Sequence, residues 1–227
     1  MRAPEPPLVR IVTGHYGSGK SEFSVSLALR LDAAGRRVAL ADLDIVNPYF
    51  RSREAAELLE ARGVRVISST LGHVSTLELP AISPEVRAPL ADPGTDVIVD
   101  LGGDAVGARV LAQFRADVVR RPYELLVVVN AYRPETATCA GVLDHLRRIE
   151  ATTGLRASGL VSNTHLLRDT TTHDVLAGLA LCREASAASG VPVRYVAGLP
   201  DALAGLGDEA SGVEAVPIGM YLRDEWM

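Results

Sequence analysis

One short stretch, GHYGSGKS at positions 14–21, constrains this chain more than any other. It matches the pattern G-x-x-x-x-G-K-[ST] at every specified position. The apolar run Leu8–Thr13 before it predicts a buried strand, and apolar residues spaced four apart over Ser21–Leu31 predict a helix. A strand, a glycine loop and a helix in this order are typical of a phosphate-binding loop (P-loop), because glycines let successive N–H groups face phosphate oxygens.

This loop predicts a nucleoside triphosphate site. We expect Lys20 to reach the β- and γ-phosphates and the Ser21 hydroxyl to bind Mg²⁺, with the start of the helix adding free N–H groups. The structural alternative is a glycine-rich turn that binds nothing. The predicted nucleotide-binding residues of this segment are Gly14, His15, Tyr16, Gly17, Ser18, Gly19, Lys20, Ser21 and Glu22.

The composition is that of an ordinary globular chain. The 227 residues are 48% hydrophobic and 22% charged, and the net charge of -5 disfavours nucleic acid or an anionic membrane as the main partner. We expect a flexible tail over residues 1–7 and a single domain over residues 8–227. Without a signal-peptide pattern or a long apolar run, a cytoplasmic location is the expectation.

Strand and helix patterns alternate along the rest of the chain, which predicts an α/β fold: a three-layer αβα arrangement with a mainly parallel sheet. Residues 71–94 are irregular, with at most one short helix. The cysteines are expected to be buried and unreactive, and His145 to be a surface or cap residue. Further strands are predicted at Val38–Leu43, Val64–Ser68, Asp96–Leu101, Glu124–Val129, Leu155–Ser162 and Val193–Ala197, the last being taken as the final core strand.

Polar residues follow the predicted strands, where a parallel sheet binds its ligand. Asp100 ends the run DVIVD and can hold Mg²⁺, and Gly103 could offer its N–H to a γ-phosphate. Asp42 and Asp44 face the same way if their strand continues, so a cation should lie between them. Asp44 is the better candidate for positioning the attacking water. The structural alternatives are a turn-capping Asp100 and a simple Gly-Gly turn.

Four segments resemble the SIMIBI class of P-loop proteins, specifically the MinD/ParA/CobQ-CobB-like nucleotide-binding domains: GHYGSGKS, VALADLDIVNP, DVIVDLGGD and GLVSNTH. The resemblance runs from Val9 to about Asp201. It implies that Asp44 helps hold Mg²⁺ and poises the water, that Asn163 contacts adenine, and that Pro200 and Asp201 belong to the loop that closes over the base. The stretch DLDIVNPYFRSRE also resembles a little-described subset of such ATPases.

One position departs from that resemblance. MinD and ParA proteins carry a second lysine after the first loop glycine, which reaches the partner's nucleotide across a dimer, whereas this chain has His15. A homodimer is therefore a candidate arrangement that the resemblance does not by itself imply, and a solvent-facing His15 is the alternative. The segment PIGMYLRDEWM is neither basic nor clearly amphipathic, so we expect no stable membrane anchor.

Three functions stay open at this point. The leading one is a Mg²⁺-dependent ATPase that acts as a nucleotide-controlled switch with an unidentified protein partner; the lack of an N-K-x-D motif favours ATP over GTP. The second is an ATP-dependent phosphotransferase or ligase, similar to dethiobiotin synthetase and CobB-like enzymes, with Asn47, Arg51 and residues 71–94 as its substrate pocket. The third is a nucleotide-binding adaptor without hydrolysis.

Overall fold

The computed structural model of this chain describes residues 6, 8–44, 52–68 and 84–222, the side chains at positions 53, 105, 106 and 108 excepted. Of the predicted tail over residues 1–7, only Pro6 belongs to the described residues. The loop Asn47–Arg51 and residues 71–83 of the irregular stretch lie outside the described residues.

Eight strands form one sheet, and every neighbouring pair is parallel. The strands are β1 (Val9–Gly14), β2 (Val38–Asp42), β3 (Arg65–Ser68), β4 (Asp96–Asp100), β5 (Tyr123–Val129), β6 (Gly159–Ser162), β7 (Val193–Gly198) and β8 (Glu214–Pro217). Their order across the sheet is β3-β2-β4-β1-β5-β6-β7-β8. The strand before the glycine loop therefore lies in the middle of the sheet.

Helices connect the strands. They are α1 (Lys20–Ala33), α2 (Ala56–Ala61), α3 (Arg87–Ala91), α4 (Ala105–Ala112), α5 (Arg115–Val118), α6 (Cys139–Thr153), α7 (Thr172–Ser189) and α8 (Pro200–Ala204). Local sequence explains the ends of the two longest: Gly154 and Gly190 end α6 and α7 in the left-handed conformation that glycine adopts readily. Thr171 and Asp174 form a capping box at the start of α7. Across the described residues, no helix has the length and apolar character needed to cross a membrane.

Both faces of the sheet are covered, as the near-continuous apolar strands predict. Alternate residues of each strand point to opposite faces. Val12 of β1 packs in the cluster that contains α1 and α2, whereas Ile11 packs with residues of α3 to α6. The predicted three-layer αβα architecture is confirmed.

The prediction that β7 is the last core strand was wrong, because β8 extends the sheet beyond it. β8 is a short edge strand in which only Val216 is buried, and it ends in a proline. An edge strand of this kind has almost no apolar signal in its sequence.

Two predictions for single side chains were also wrong. His145 is buried in α6 rather than exposed, with only 6% of its surface accessible. Cys139 is the first residue of the same helix and is partly exposed, whereas Cys182 is buried as predicted. A single His or Cys in a helical pattern does not reveal which side of the helix faces the core.

Candidate nucleotide-binding site

The residues between β1 and α1 curl into a tight loop. Gly17 and Gly19 have left-handed φ angles of 75° and 83°, and the Ser18 N–H donates to the His15 carbonyl at 3.0 Å. A Cβ on Gly19 would lie 2.2 Å from Nδ2 of Asn163, so both conformation and space require glycine there. The backbone N–H groups that precede α1 are thus available for an anion.

Side chains from two neighbouring strand ends brace the outside of this loop. Asn163, after β6, donates its Nδ2–H to the Ser18 carbonyl at 2.8 Å. After β5, the Arg133 Nε–H donates to the Gly17 carbonyl at 2.9 Å, and Asn130 donates to the same carbonyl at 3.4 Å. These hydrogen bonds hold the loop carbonyls from the outside of the loop and so stabilise its conformation.

A buried group of charges lies beside the loop. Nζ of Lys20 is 2.7 Å from Oδ2 of Asp44, and the two side chains are only 6% and 2% exposed. Asp42 accepts the Asp44 N–H at 3.1 Å and lies opposite Asp100 in the pairing of β2 with β4. Burial by itself would lower the pKa of Lys20, but Asp100 and Asp44 raise it above its ordinary value, so the lysine is charged.

Asp100 is the residue of this group that most clearly needs a cation. It is fully buried, and within the described residues neither of its oxygens makes a direct hydrogen bond. Burial is the main cause that raises the pKa of Asp100 to about 7. The positive charge of Lys20 opposes this rise, the negative charges of Asp42 and Asp44 add to it, and the nearby Ser21 hydroxyl lowers the pKa. A buried carboxylate whose oxygens accept no direct hydrogen bond is costly unless a cation or proton satisfies it.

The donors present fit Mg²⁺ supplied together with a nucleotide. In the described part of the chain, no three His, Cys, Asp or Glu side chains are grouped as a complete metal site. Mg²⁺ is usually held by one or two carboxylates together with substrate phosphates and waters, rather than by an all-protein cage. Asp100 at the end of β4 and Ser21 at the start of α1 are adjacent, and both carry oxygen atoms of the kind that Mg²⁺ prefers.

The Gly102-Gly103 pair after β4 packs against the loop. A Cβ on Gly103 would lie 2.0 Å from the Gly14 carbonyl oxygen, and one on Gly102 would lie 3.0 Å from Oδ1 of Asp44. These close approaches bring the backbone of Gly103 to the edge of the loop, next to the Lys20–Asp44 pair.

A cavity of about 300 Å³ extends from the loop along the start of α1. The loop and the first turn of α1 form one side, and residues after β6 and β7 form another. Ile218, Met220 and Leu222, which follow β8, complete the wall with apolar side chains. An apolar cavity that continues from an anion-binding loop has the layout of a nucleoside subsite.

The structure brings most of the predicted site residues together, but their positions differ in detail. Asn163 lines the cavity, yet its amide nitrogen donates a hydrogen bond to the loop carbonyl of Ser18. Pro200 and Asp201 are exposed in the first turn of α8, and the preceding Leu199 lines the cavity instead. Their contact with a base stays a prediction.

At the outer edge of the loop, His15 and Tyr16 are accessible. Nδ1 of His15 is 3.6 Å from a carboxylate oxygen of Glu135, and its ring centroid is 5.7 Å from that of His145. Tyr16 is 62% exposed.

Sequence reasoning missed several residues that form this site. Arg133 follows the end of β5, so the rule that a parallel sheet binds its ligand beyond its strand ends could have revealed it. Leu167 opens a short 3-10 helix and Met220 lies in the irregular segment after β8, and neither position carries such a signal. Both have left-handed φ angles, 57° and 53°, which non-glycine residues adopt rarely.

Together, the central strand, glycine loop, lysine and strand-end carboxylates define a P-loop NTPase fold. No protein-family model matches the sequence, and no curated protein matches it. Among solved structures, the cell division protein FtsY from Thermotoga maritima superimposes with a TM-score of 0.57 at 24% identity, covering 88% of this chain and 64% of that one. The 54 kDa signal recognition particle protein from Aeropyrum pernix, in complex with GDP, superimposes with a TM-score of 0.57 at 24% identity, covering 86% of this chain and 42% of that one.

Chloroplast FtsY from Physcomitrella patens is similar as well, with a TM-score of 0.56 at 19% identity, covering 86% of this chain and 59% of that one. The chain therefore spans less than two thirds of the length of each of these three proteins. FtsY and the signal recognition particle protein belong to the SIMIBI class of P-loop NTPases, and at 24% identity or less the likeness shows that this chain shares their fold. The MinD/ParA-like subset stays a prediction.

Proposed function

We propose that this chain is a Mg²⁺-dependent ATPase of the MinD/ParA-like kind that acts as a nucleotide-controlled switch in the cytoplasm. The observation that carries the proposal is the convergence of Lys20, Ser21, Asp44 and Asp100 at one end of an anion-binding loop. The acidic cluster is suited to a cation, and the loop amides to phosphate oxygens.

Binding requires an exchange of partners at Lys20. The lysine is held by Asp44, and a triphosphate in the loop offers it phosphate oxygens instead. Asp44 then gives up its ion pair with Lys20, and its carboxylate lies close to the reacting phosphate, where it can orient a water for in-line attack. The loop amides and Lys20 stabilise the charge that develops on the phosphate.

Ser21 and Asp100 would hold the metal. Bound there, Mg²⁺ neutralises phosphate charge during the transfer. The protein's own contribution is to keep both oxygens buried and aimed at the same place, since Asp100 ends β4 and Ser21 opens α1.

The cavity supports adenine rather than guanine. Guanine presents two neighbouring N–H donors on its Watson–Crick edge, which a carboxylate recognises well. Of the described residues that line the cavity, Glu22 is the only carboxylate, and it accepts the backbone N–H groups of Tyr221 and Leu222. The GDP of the signal recognition particle protein does not argue against ATP here, because at 24% identity the likeness concerns the fold.

A switch role is supported by the packing of Gly103 against the loop. The backbone after β4 packs against Gly14 and His15 of the loop. We propose that a γ-phosphate bound in the loop contacts this segment, and that loss of the phosphate releases it. His15 and Tyr16, accessible at the outer edge, are suited to contact a second copy of the chain or a protein partner.

The test is steady-state release of ADP from ATP and of GDP from GTP by purified protein with Mg²⁺. We expect slow hydrolysis of ATP, a lower rate with GTP, and a loss of at least about 100-fold in Asp100→Asn. Glu57→Gln, an exposed glutamate of α2, is the control that should match the wild type. Equal rates for wild type and Asp100→Asn would contradict the proposal.

A further inference from the structure

One stripe of α1 holds the segment that follows β7 and α8. Glu22, Ser26 and Arg30 are spaced four apart and therefore lie on the same side of the helix. Glu22 accepts the Tyr221 N–H and, at 3.1 Å, the Leu222 N–H. Residues 214–222 are hereafter called the β8 strap.

The other two members of the stripe hold the strap further along. The Ser26 hydroxyl accepts the Gly219 N–H at 3.4 Å. Arg30 donates to the Ala215 carbonyl at 3.1 Å and forms an ion pair with Glu214. The strap thus runs antiparallel to α1, from the end of the helix back to its first turn.

This path brings the strap from the sheet edge to the nucleotide site. Its last turn lies beside Glu22, two residues after the loop lysine, and Ile218, Met220 and Leu222 line the cavity there. Across the described residues, Met220 and Leu167 are the only two non-glycine residues with left-handed φ angles, and both line this cavity. Backbone strain of this kind concentrates at ligand-binding sites, where the surrounding structure enforces it.

We propose that the β8 strap is the wall on which the nucleotide base packs, and that Glu22 is a positioning residue that sets this wall. The proposal rests on the proposed function, since it assigns the base subsite of the same nucleotide. Glu22 would act on affinity through the two backbone N–H groups it accepts, rather than by touching the nucleotide. The strap contributes apolar contact to the base, while the loop contributes the phosphate contacts.

This division predicts a separable effect on two probes. ATP uses both the loop and the strap, whereas inorganic tripolyphosphate uses the loop alone. Removing the anchor of the strap should therefore lower the affinity for ATP and leave the affinity for tripolyphosphate unchanged. A substitution that only destabilised the fold or the loop would lower the affinity for both probes.

The experiment compares Glu22→Ala and Met220→Gly with the wild type by calorimetric titration of ATP and of tripolyphosphate in the presence of Mg²⁺. Met220→Gly removes a wall side chain while keeping a residue that adopts the left-handed φ without strain. We expect each variant to lose about tenfold in ATP affinity, the size of one or two lost hydrogen bonds or apolar contacts, with tripolyphosphate affinity within about twofold of the wild type. Glu57→Gln serves as the matched control.

Equal loss of ATP and tripolyphosphate affinity, or unchanged ATP affinity in both variants, would overturn the assignment of the strap. If Glu22→Ala does not fold, Met220→Gly decides alone, because glycine relieves strain at that position. A wild-type protein that binds neither probe would instead refute the proposed function, so the two failures are distinguishable.

Discussion

Lys20 and Asp44 form a buried ion pair, with 2.7 Å between Nζ and Oδ2, beside the glycine loop. The loop lysine is therefore neutralised by the carboxylate proposed to position water. Under the proposed function, a bound triphosphate replaces that carboxylate as the partner of Lys20, which couples binding to the release of Asp44 from the lysine.

Asp44→Asn should separate binding from hydrolysis. The amide competes less for Lys20 and removes a negative charge near the phosphates, so ATP affinity should be equal to or higher than that of the wild type. Hydrolysis should fall by about 100-fold or more, because the water loses its acceptor. Calorimetry and ADP release measured on the same preparation check both. A variant that binds ATP far more weakly, or hydrolyses it at the wild-type rate, would contradict this role.

Gly103→Ala should disrupt the junction between β4 and the loop. Its methyl group would lie 2.0 Å from the Gly14 carbonyl oxygen, so the backbone has to shift. We expect a destabilisation of about 1–3 kcal/mol together with a marked loss of hydrolysis, measured by urea unfolding and ADP release. Gly94→Ala is the control, because the new methyl group would meet side-chain atoms rather than backbone: Oδ1 of Asp92 at 3.3 Å and the Arg37 guanidinium at 3.7 Å. Equal behaviour of the two variants would show that the close approach is not needed.

The opposite end of the sheet contains a buried ion network centred on Asp96. Its carboxylate accepts from Arg10 of β1 at 2.6 Å and from Arg36 at 2.5 Å, and Arg10 and Asp96 are almost fully buried. Asp96→Ala leaves both guanidinium groups without this carboxylate and should cost about 3–5 kcal/mol of unfolding free energy. The exposed pair of Asp144 and Arg148 is the contrast, and Asp144→Ala should cost under about 1 kcal/mol. Comparable losses of unfolding free energy in Asp96→Ala and Asp144→Ala, measured by urea unfolding, would contradict this ranking.

His145 should make the fold sensitive to acid. Burial lowers its pKa from 6.5 to about 4, with further lowering by His15 and Arg148 and a smaller opposing effect of Asp144. The unfolded chain therefore binds the proton first, so the stabilisation is complete above pH 6.5 and is lost as the pH falls toward 4. Between pH 7 and pH 5 the loss is on the order of 2 kcal/mol.

His145→Leu tests this effect, because it removes the titrating group from a buried position. Urea unfolding at pH 7 and pH 5 should show a smaller loss of stability for the variant than for the wild type. An identical loss in both proteins would assign the acid sensitivity to other groups.

The parts of the fold and site that depend on local patterns could be predicted from the sequence. The loop follows from its glycines and lysine, and Asp100 from a strongly apolar run that ends in a carboxylate. Asp42 and Asp100 lie opposite each other because neighbouring parallel strands end at the same edge of the sheet. This rule can be applied to the sequence alone.

Other parts depend on long-range packing that no local pattern reveals. β8 has one buried residue, so its pairing with β7 leaves almost no trace in the sequence. The sequence includes Glu22 among the predicted nucleotide-binding residues but does not reveal that its carboxylate holds backbone N–H groups about 200 residues further along the chain. The direction that His145 faces depends in the same way on which surface of α6 packs inward.

The central claim is that the loop before α1 binds a triphosphate with Lys20 as its cation. The most direct test is equilibrium binding of ATP with Mg²⁺ to the wild type and to Lys20→Ala, with thermal unfolding confirming that both are folded. The account predicts saturable binding to the wild type and an affinity at least about tenfold lower in the variant, as the loss of a charge-assisted contact implies. Equal affinity in the two proteins, or no binding of ATP to the wild type, would contradict it.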